Sequence, residues 1–334
     1  MTKKFIYTAL AGVSLLFAGC NEDLVGDYVQ PTEKHFGEEI MFGGSASYDV
    51  SEGAKDGTRT VYGGYENITD GAEPVYWTQG DAVRVYCPEG ANNTADYDVD
   101  VTGEKVITTS LSRRGESALQ WGNPNNEHTF YAVYPAPSES TPGENLNGTS
   151  TIVGTIPSEQ PSFSYEKKNG YDHVFTPNMN YAYMVAKTVI PVPNNIGESV
   201  YLRFMPIATA LEITLQNGSG RTLNLKNVEL SSKANGIAGS FASDLKTMTV
   251  TASANVHYGT GYPETTLTGN ASNSITIPFA QGVAEGATSL EVKVGESVTF
   301  TAFMLPTADI TDLQMRINGE ESGSNVYKTA TFQG

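Results

Sequence analysis

Residues 40–50 read Ile-Met-Phe-Gly-Gly-Ser-Ala-Ser-Tyr-Asp-Val, an alternation of apolar side chains with small or polar ones. Such a period of two predicts a β-strand with one face in a core, about 36 Å long at roughly 3.3 Å per residue. Met41 is the one large apolar side chain on the polar side of this pattern. The predicted buried face consists of Ile40, Phe42, Ala46, Tyr48 and Val50.

A polar loop rich in glycine and charge follows this strand, and Arg59 ends the loop. Exposed loops are preferred sites of proteolysis, so we predict a cut between Arg59 and Thr60. The cut would make the strand at about 38–51 detachable, and its loss would leave a groove with apolar pockets and unpaired backbone groups. A strand from another molecule could fill that groove by β-strand addition. The alternative is an ordinary N-terminal edge strand.

Strand patterns dominate the rest of the chain. Runs of about four to eight residues rich in Val, Ile, Thr, Tyr and Phe recur between clusters of Gly, Asn, Pro and Ser. The predicted strands include 129–134, 200–204, 211–215, 246–251, 274–279 and 298–304. No long helical pattern stands beside them, so the predicted fold class is all-β, with two antiparallel β-sandwich domains.

Two of these patterns carry finer predictions. Leu211, Ile213 and Leu215 alternate with polar residues, which indicates one buried and one exposed face. The apolar parity then slips between Leu225 and Val228, and a slip of this kind predicts a β-bulge.

The stretch Pro191-Val192-Pro193-Asn194-Asn195 is the best candidate for a domain boundary, because prolines and asparagines interrupt strands. The chain is therefore predicted to have four parts. They are a signal peptide at 1–19, a propeptide with the detachable strand at 20–59, an N-terminal β-sandwich at 60–193 and a C-terminal β-sandwich at 194–334.

The chain has a formal net charge of −17, with 20 Lys and Arg against 37 Asp and Glu. A chain this acidic repels phosphate backbones, which excludes nucleic acid as a partner. Only two cysteines occur, Cys20 and Cys87. Cys87 lies in a β-like run and is predicted to be an inert thiol in the core.

The amino terminus resembles a bacterial lipoprotein signal. Lys3 and Lys4 precede an apolar run at 5–17, and small residues lead into Cys20. The resemblance implies cleavage before Cys20 by a lipoprotein signal peptidase and acylation of its thiol, which anchors the precursor in a membrane. The acidic residues at 22–23 resemble an export signal that carries some lipoproteins to the outer face of the outer membrane. The alternative is an ordinary secretory signal.

The sequence contains no recognisable catalytic or metal-binding motif. The four histidines are far apart, and neither a Gly-x-Ser-x-Gly elbow nor a phosphate-binding loop occurs. Asp96, Asp98 and Asp100 alternate, which fits a solvated strand face better than a calcium loop. We therefore expect no enzyme activity, no cofactor and no metal. Trp77 and Trp121 are interpreted as core anchors, with a sugar-binding platform as the alternative.

Several short motifs, in this order and spacing, resemble the fimbrillin family, the subunits of type V pili. They are Ile40-Met41-Phe42, Gly57-Thr58-Arg59-Thr60, Trp77-Thr78-Gln79-Gly80-Asp81, Phe130-Tyr131-Ala132-Val133-Tyr134-Pro135, Leu202-Arg203-Phe204-Met205-Pro206 and Phe303-Met304-Leu305-Pro306.

This resemblance implies transthyretin-like sandwiches and a structural pilus subunit secreted as a lipidated precursor. An Arg-specific protease would cut after Arg59, and the subunit would then polymerise with other pilin subunits by strand exchange. The product would be an extracellular pilus that supports adhesion to a host or bacterial surface ligand. The alternatives are a pilus tip adhesin or a glycan-binding surface lipoprotein, and a hydrolase with an unrecognised site.

The carboxy terminus departs from the family's stalk subunits, which have a C-terminal donor strand. Val326, Ala330 and Phe332 share a face, but Lys328 interrupts it. Three interpretations stay open: a truncated chain, a tip subunit that does not donate, or a short donor strand.

Overall fold

The computed structural model describes residues 36–46, 61–62, 75–137, 145–192, 199–233, 235–252, 256–280, 283–284, 286–306, 313–321 and 324–331, which we call the described residues. Within them the chain is almost entirely β-structure, and its helical elements are two 3-10 helices, Met179–Tyr181 and Leu245–Thr247. The all-β prediction is confirmed. Among the described residues, no helix has the length and apolar character needed to cross a membrane.

The described residues contain twenty-four strands. Those before Pro191 are β1 (Met41–Ser45), β2 (Val61–Tyr62), β3 (Val75–Tyr76), β4 (Ala82–Tyr86), β5 (Thr94–Val99), β6 (Thr108–Arg113), β7 (His128–Tyr134), β8 (Thr151–Ile156), β9 (Ser164–Lys168), β10 (Asp172–Thr176) and β11 (Met184–Ile190). The later strands are β12 (Ser199–Arg203), β13 (Met205–Pro206), β14 (Thr209–Gln216), β15 (Leu223–Ser232), β16 (Ala238–Asp244), β17 (Val250–Ala252), β18 (His257–Gly259), β19 (Glu264–Ser272), β20 (Ser274–Pro278), β21 (Leu290–Val292), β22 (Ser297–Met304), β23 (Leu313–Glu321) and β24 (Ser324–Thr331).

The largest sheet has ten strands in the order β12-β1-β6-β5-β4-β7-β11-β18-β17, with β13 paired to β11. Its neighbours run antiparallel except β1 and β12, which are parallel. The smaller sheets are β14-β22-β10-β9, β20-β15-β23-β24 with β21 on β15, β19-β16-β8, and β2-β3. One apolar cluster contains the buried side chains of β1, and a second contains those of β15 and β22.

Strands from both sides of the Pro191–Val192 break share sheets. β12, β17 and β18 belong to the largest sheet, β10 runs parallel to β22, and β8 pairs with β16. The second apolar cluster also draws on both sides, with Val133 and Phe175 beside Val228 and Phe300. The predicted boundary between 193 and 194 therefore coincides with no division between sheets, and the two-domain organisation stays a prediction.

The local patterns of β14 and β15 match the sequence predictions. In β14, Leu211, Ile213 and Leu215 are half-buried against the second cluster, whereas the polar residues between them are exposed. In β15, the register against β23 shifts between Leu225 and Asn227. The predicted alternation and the predicted bulge are both confirmed.

The predicted strand at 246–251 is wrong in its first half. Leu245–Thr247 forms a 3-10 helix, and the strand covers only Val250–Ala252. The Asp244 side chain accepts a hydrogen bond from the backbone N–H of Lys246 at 3.0 Å, which caps the helix. A capping carboxylate offers the backbone an alternative to a sheet ladder, and this local contact outweighs the strand propensity of the residues that follow.

Candidate functional site: the seat of the first strand

β1 lies inside the largest sheet and not at its edge. It pairs in parallel with β12, from Met41 opposite Ser199 to Ser45 opposite Arg203. Its other side pairs antiparallel with β6, from Phe42 opposite Leu111 to Ser45 opposite Thr108. We call the space between β6 and β12 the strand seat. β1 is therefore not an edge strand of this sheet, and its detachment stays a prediction.

Backbone hydrogen bonds extend the strand seat beyond both ends of β1. The Ile40 N–H donates to the Leu119 carbonyl at 2.9 Å, and the Ala46 N–H donates to the Ile107 carbonyl at 3.0 Å. The Ser45 carbonyl accepts from the Phe204 N–H at 3.0 Å. Removal of β1 would leave these groups without partners. It would also expose the backbone N–H and C=O groups of β6 and β12 that face β1.

The inner face of β1 packs into the first apolar cluster. Ile40 and Ala46 are buried, and Phe42 is 3% exposed. The Phe42 ring lies edge-on to Tyr97 and Phe130, with centroids 4.9 Å and 5.7 Å apart. Phe42 therefore occupies an aromatic pocket on the inner face of the sheet.

The outer face of β1 departs from the sequence pattern at one position. Met41 is 57% exposed, as the alternation predicts, but Ser45 is buried. Within the described residues the regular strand covers Met41–Ser45. The predicted positions Tyr48 and Val50 lie outside the described residues.

The residues that complete the strand seat carry no mark in the sequence. Tyr201 on β12 lies opposite Gly43, and its hydroxyl is 3.3 Å from Thr108 Oγ1 on β6. Phe204 and Leu111 approach Gly44 from the core. No local pattern marks these residues, because their role depends on which distant strands pair with β1.

Neither tryptophan is available as a ligand platform. Trp77 is 1% exposed and packs edge-on against Tyr134 and Phe204, with ring centroids 5.4 Å and 5.5 Å away. Trp121 is 4% exposed and lies edge-on to His128 and Phe130. Both indoles are anchored in the core beneath the sheet, where neither face is open to a sugar.

The alternating aspartates of β5, and Asp100 just after it, each contact different side chains of the same chain. Asp96 forms a two-pronged ion pair with Arg84, at 2.6 Å and 2.9 Å. Asp98 pairs with Arg114 at 2.8 Å. Asp100 accepts hydrogen bonds from two serine hydroxyls on β6. Across the described residues, no three His, Cys, Asp or Glu side chains converge to hold a metal ion.

Cys87 is a buried free thiol whose Sγ lies 3.6 Å from Glu89 Oε2. Burial, and then the charge of Glu89, raise the pKa of this thiol well above its ordinary value. A thiol that stays protonated is a poor nucleophile, which agrees with the predicted inert role.

The predicted processing residues Cys20, Arg59 and Thr60 lie outside the described residues, so lipidation and cleavage stay predictions.

Comparison with known sequences identifies the class of protein. The sequence profile of the fimbrillin-like family matches residues 58–315, so the chain belongs to the fimbrillin-like family. No curated protein sequence matches the chain. The resemblance inferred from the short motifs is confirmed.

Three solved structures of candidate cell adhesion proteins resemble the chain at low sequence identity. The protein from Bacteroides uniformis is 15% identical, with a TM-score of 0.45, and the match covers 75% of this chain and 78% of that one. The protein from Bacteroides ovatus is 13% identical, with a TM-score of 0.44 and coverage of 88% and 86%. The protein from Bacteroides fragilis is 14% identical, with a TM-score of 0.37 and coverage of 89% and 88%.

Membership of the fimbrillin-like family makes the chain a pilus or adhesion subunit of the cell surface. It is a structural protein and not an enzyme.

Proposed function

We propose that the chain is the precursor of a pilus subunit that polymerises by strand exchange at the strand seat. One observation carries the proposal: β1, the first strand of the described residues, is hydrogen-bonded on both sides within the interior of the largest sheet. A strand in that position shields two sheet edges. Its departure would expose both edges and the Phe42 pocket to a strand from another subunit.

The energetics favour exchange only after β1 is cut free. Burial of the inner face of β1 is worth a few kcal/mol, at roughly 25 cal/mol per Å² of apolar surface. An incoming strand gains a similar amount, so the exchange itself is close to balance. In the intact precursor, the covalent link keeps β1 at a high effective concentration, and the seat stays filled. Cleavage after Arg59 would remove that advantage.

The amino-terminal processing fits the same sequence of events. Acylation of Cys20 would hold the precursor on the outer membrane, and an Arg-specific protease would act at the loop before Thr60. The lipid and the released strand would then stay on one fragment, while the subunit with the open strand seat would pass to the extracellular pilus. This order rests on the sequence of residues 1–60, which resembles a lipoprotein signal and the family's processing site.

β24 has the geometry of a strand that can be donated. It pairs with β23 at the end of its sheet, and Tyr327 is 69% exposed. Arg316 of β23 stacks over the Tyr327 ring at 4.6 Å, outside the core. Because β24 buries little apolar surface, its departure costs little. Its sequence contains no glycine, unlike the centre of β1, so the short donor strand stays one of the three open interpretations of the carboxy terminus.

Controlled proteolysis of the purified precursor tests the proposal. Treatment with an Arg-specific protease, which leaves Lys55 in the same loop uncut, should give ladders on a gel and filaments by electron microscopy. Arg59→Ala should abolish both without lowering the melting temperature of the precursor, whereas Arg221→Ala, in an exposed turn, should polymerise like the wild type. Filaments that form equally well from the Arg59→Ala protein would remove the case for strand release.

A further inference from the structure

Two consecutive glycines, Gly43 and Gly44, lie at the centre of β1, where neighbouring side chains approach both faces of the strand. Glycine in a strand interior weakens the strand and often marks a close approach by other groups. Here each glycine faces a different side chain, and each contact limits what a strand in the seat can carry.

The outer face is crossed by Tyr201. This residue pairs with Gly43 in the parallel ladder, and a Cβ atom on Gly43 would lie 3.3 Å from Tyr201 Cδ2. The Tyr201 hydroxyl lies 3.3 Å from Thr108 Oγ1 on β6, on the far side of β1. The Tyr201 side chain therefore crosses β1 from β12 to β6. We call Tyr201 and Thr108 the tyrosine clasp.

The inner face is limited by Phe204. A Cβ atom on Gly44 would lie 3.4 Å from Phe204 Cε2, 3.6 Å from the Leu202 carbonyl oxygen and 3.7 Å from Leu111 Cδ1. These distances are ordinary contacts for one methyl group, and a larger side chain would have to press against the same three groups. Phe204 is buried and packs edge-on against Trp77, so a shift of its ring would disturb the core.

We propose that the strand seat selects its occupant by these two positions. Given the proposed strand exchange, on which this inference rests, the accepted donor is a pilin strand that runs in the direction of β1. It carries an aromatic residue for the Phe42 pocket, then glycine under the tyrosine clasp, then glycine or alanine against Phe204. The seat rejects strands that are equally apolar but have a branched side chain at either small position.

Peptide capture by the full-length precursor, cut with the same Arg-specific protease, tests this selectivity. Fluorescent peptides with the sequence of residues 38–50 are mixed with the cut protein, and retained peptide is measured by size-exclusion chromatography. The native and Gly44→Ala peptides should bind alike. The Gly44→Val peptide should bind roughly tenfold more weakly or worse, because overpacking of a tight core is destabilising.

The position under the tyrosine clasp is tested with one peptide on two proteins. A Gly43→Val peptide should bind roughly tenfold more weakly than the native peptide to the wild-type protein. The same peptide should bind like the native one to the Tyr201→Ala protein, in which the clasp is absent. The Gly44→Val peptide should stay weak on that protein, because Phe204 is unchanged.

The outcomes separate this inference from the proposed function. Equal binding of all four peptides to the wild-type protein would overturn the selectivity and leave strand release intact. A Gly43→Val peptide that stays weak on the Tyr201→Ala protein would overturn the clasp. Failure of every peptide, the native one included, would overturn strand release itself and the selectivity with it.

Discussion

His173 Nε2 and Glu296 Oε2 lie 3.0 Å apart, and both side chains are buried where β10 runs beside β22. Glu296 also accepts hydrogen bonds from Lys167 Nζ and from the backbone N–H of Lys293, each at 2.7 Å. Tyr165 closes the group, with its hydroxyl 2.9 Å from His173 Nδ1. One carboxylate therefore ties the β9–β10 hairpin to β22, across the predicted domain boundary.

This cluster predicts loss of stability in acid. Burial alone would raise the pKa of Glu296, but the hydrogen bonds from His173, Lys167 and the Lys293 backbone lower it from 4.5 to about 2. A depressed pKa in the folded state contributes stability above pH 4.5 that is lost as the pH falls towards 2. At neutral pH this contribution is fully present.

Urea unfolding at pH 7 and pH 3 measures this contribution. Glu296→Gln should lower the free energy of unfolding at pH 7 and should reduce the difference between the two pH values. Glu291→Gln is the matched control. The Glu291 carboxylate is exposed, and its ion pair with Lys293 is long, at 4.0 Å. An equal effect of the two substitutions would contradict the role of the buried cluster.

Phe42 and Met41 are neighbours on opposite faces of β1 and should respond differently to charge. Phe42→Asp places an unpaired carboxylate in an aromatic pocket and should cost about 3–5 kcal/mol or more. Met41→Asp, on the exposed face, should change the free energy of unfolding by only about 0.5 kcal/mol. Urea denaturation of the intact precursor gives both values, and similar losses would show that β1 does not bury the face described.

Gly154 on β8 lies directly beneath the Phe241 ring of β16. A Cβ atom at residue 154 would be 2.5 Å from Phe241 Cζ and 2.8 Å from Tyr183 Cζ. Gly154→Ala should therefore destabilise the protein by about 1–3 kcal/mol. Gly103→Ala is the control, because nothing lies within 4 Å of that position. Thermal unfolding of the two variants distinguishes them, and a neutral Gly154→Ala would mean that β8 and β16 do not pack as described.

Lipidation should depend on Cys20 alone. When cells that express the precursor grow with a fatty-acid analogue, the wild-type protein should become labelled. Cys20→Ala should abolish the label. Cys87→Ala should keep it, because the buried Cys87 thiol has a raised pKa and is out of reach of an acylating enzyme. A Cys20→Ala protein that retains its label would end the lipoprotein interpretation.

At the strand seat, local sequence patterns predicted some features and not others. The alternation around Phe42 predicted which face of β1 is buried, since successive side chains of any strand point to opposite sides. The slip between Leu225 and Val228 predicted the bulge in β15 for the same reason. These features depend on a few consecutive residues, and the sequence alone determined them, together with the all-β class and the family.

The partners of β1 were decided by tertiary structure alone. Pairing with β12 brings Tyr201 over Gly43, and pairing with β6 brings Thr108 within reach of the Tyr201 hydroxyl. Both strands are distant in the chain, and the period-two pattern of a strand is the same whichever neighbour it pairs with. His173 and Glu296 likewise meet only because β10 and β22 lie side by side. A contact between distant strands depends on register and packing, which are properties of the folded chain and not of any one segment.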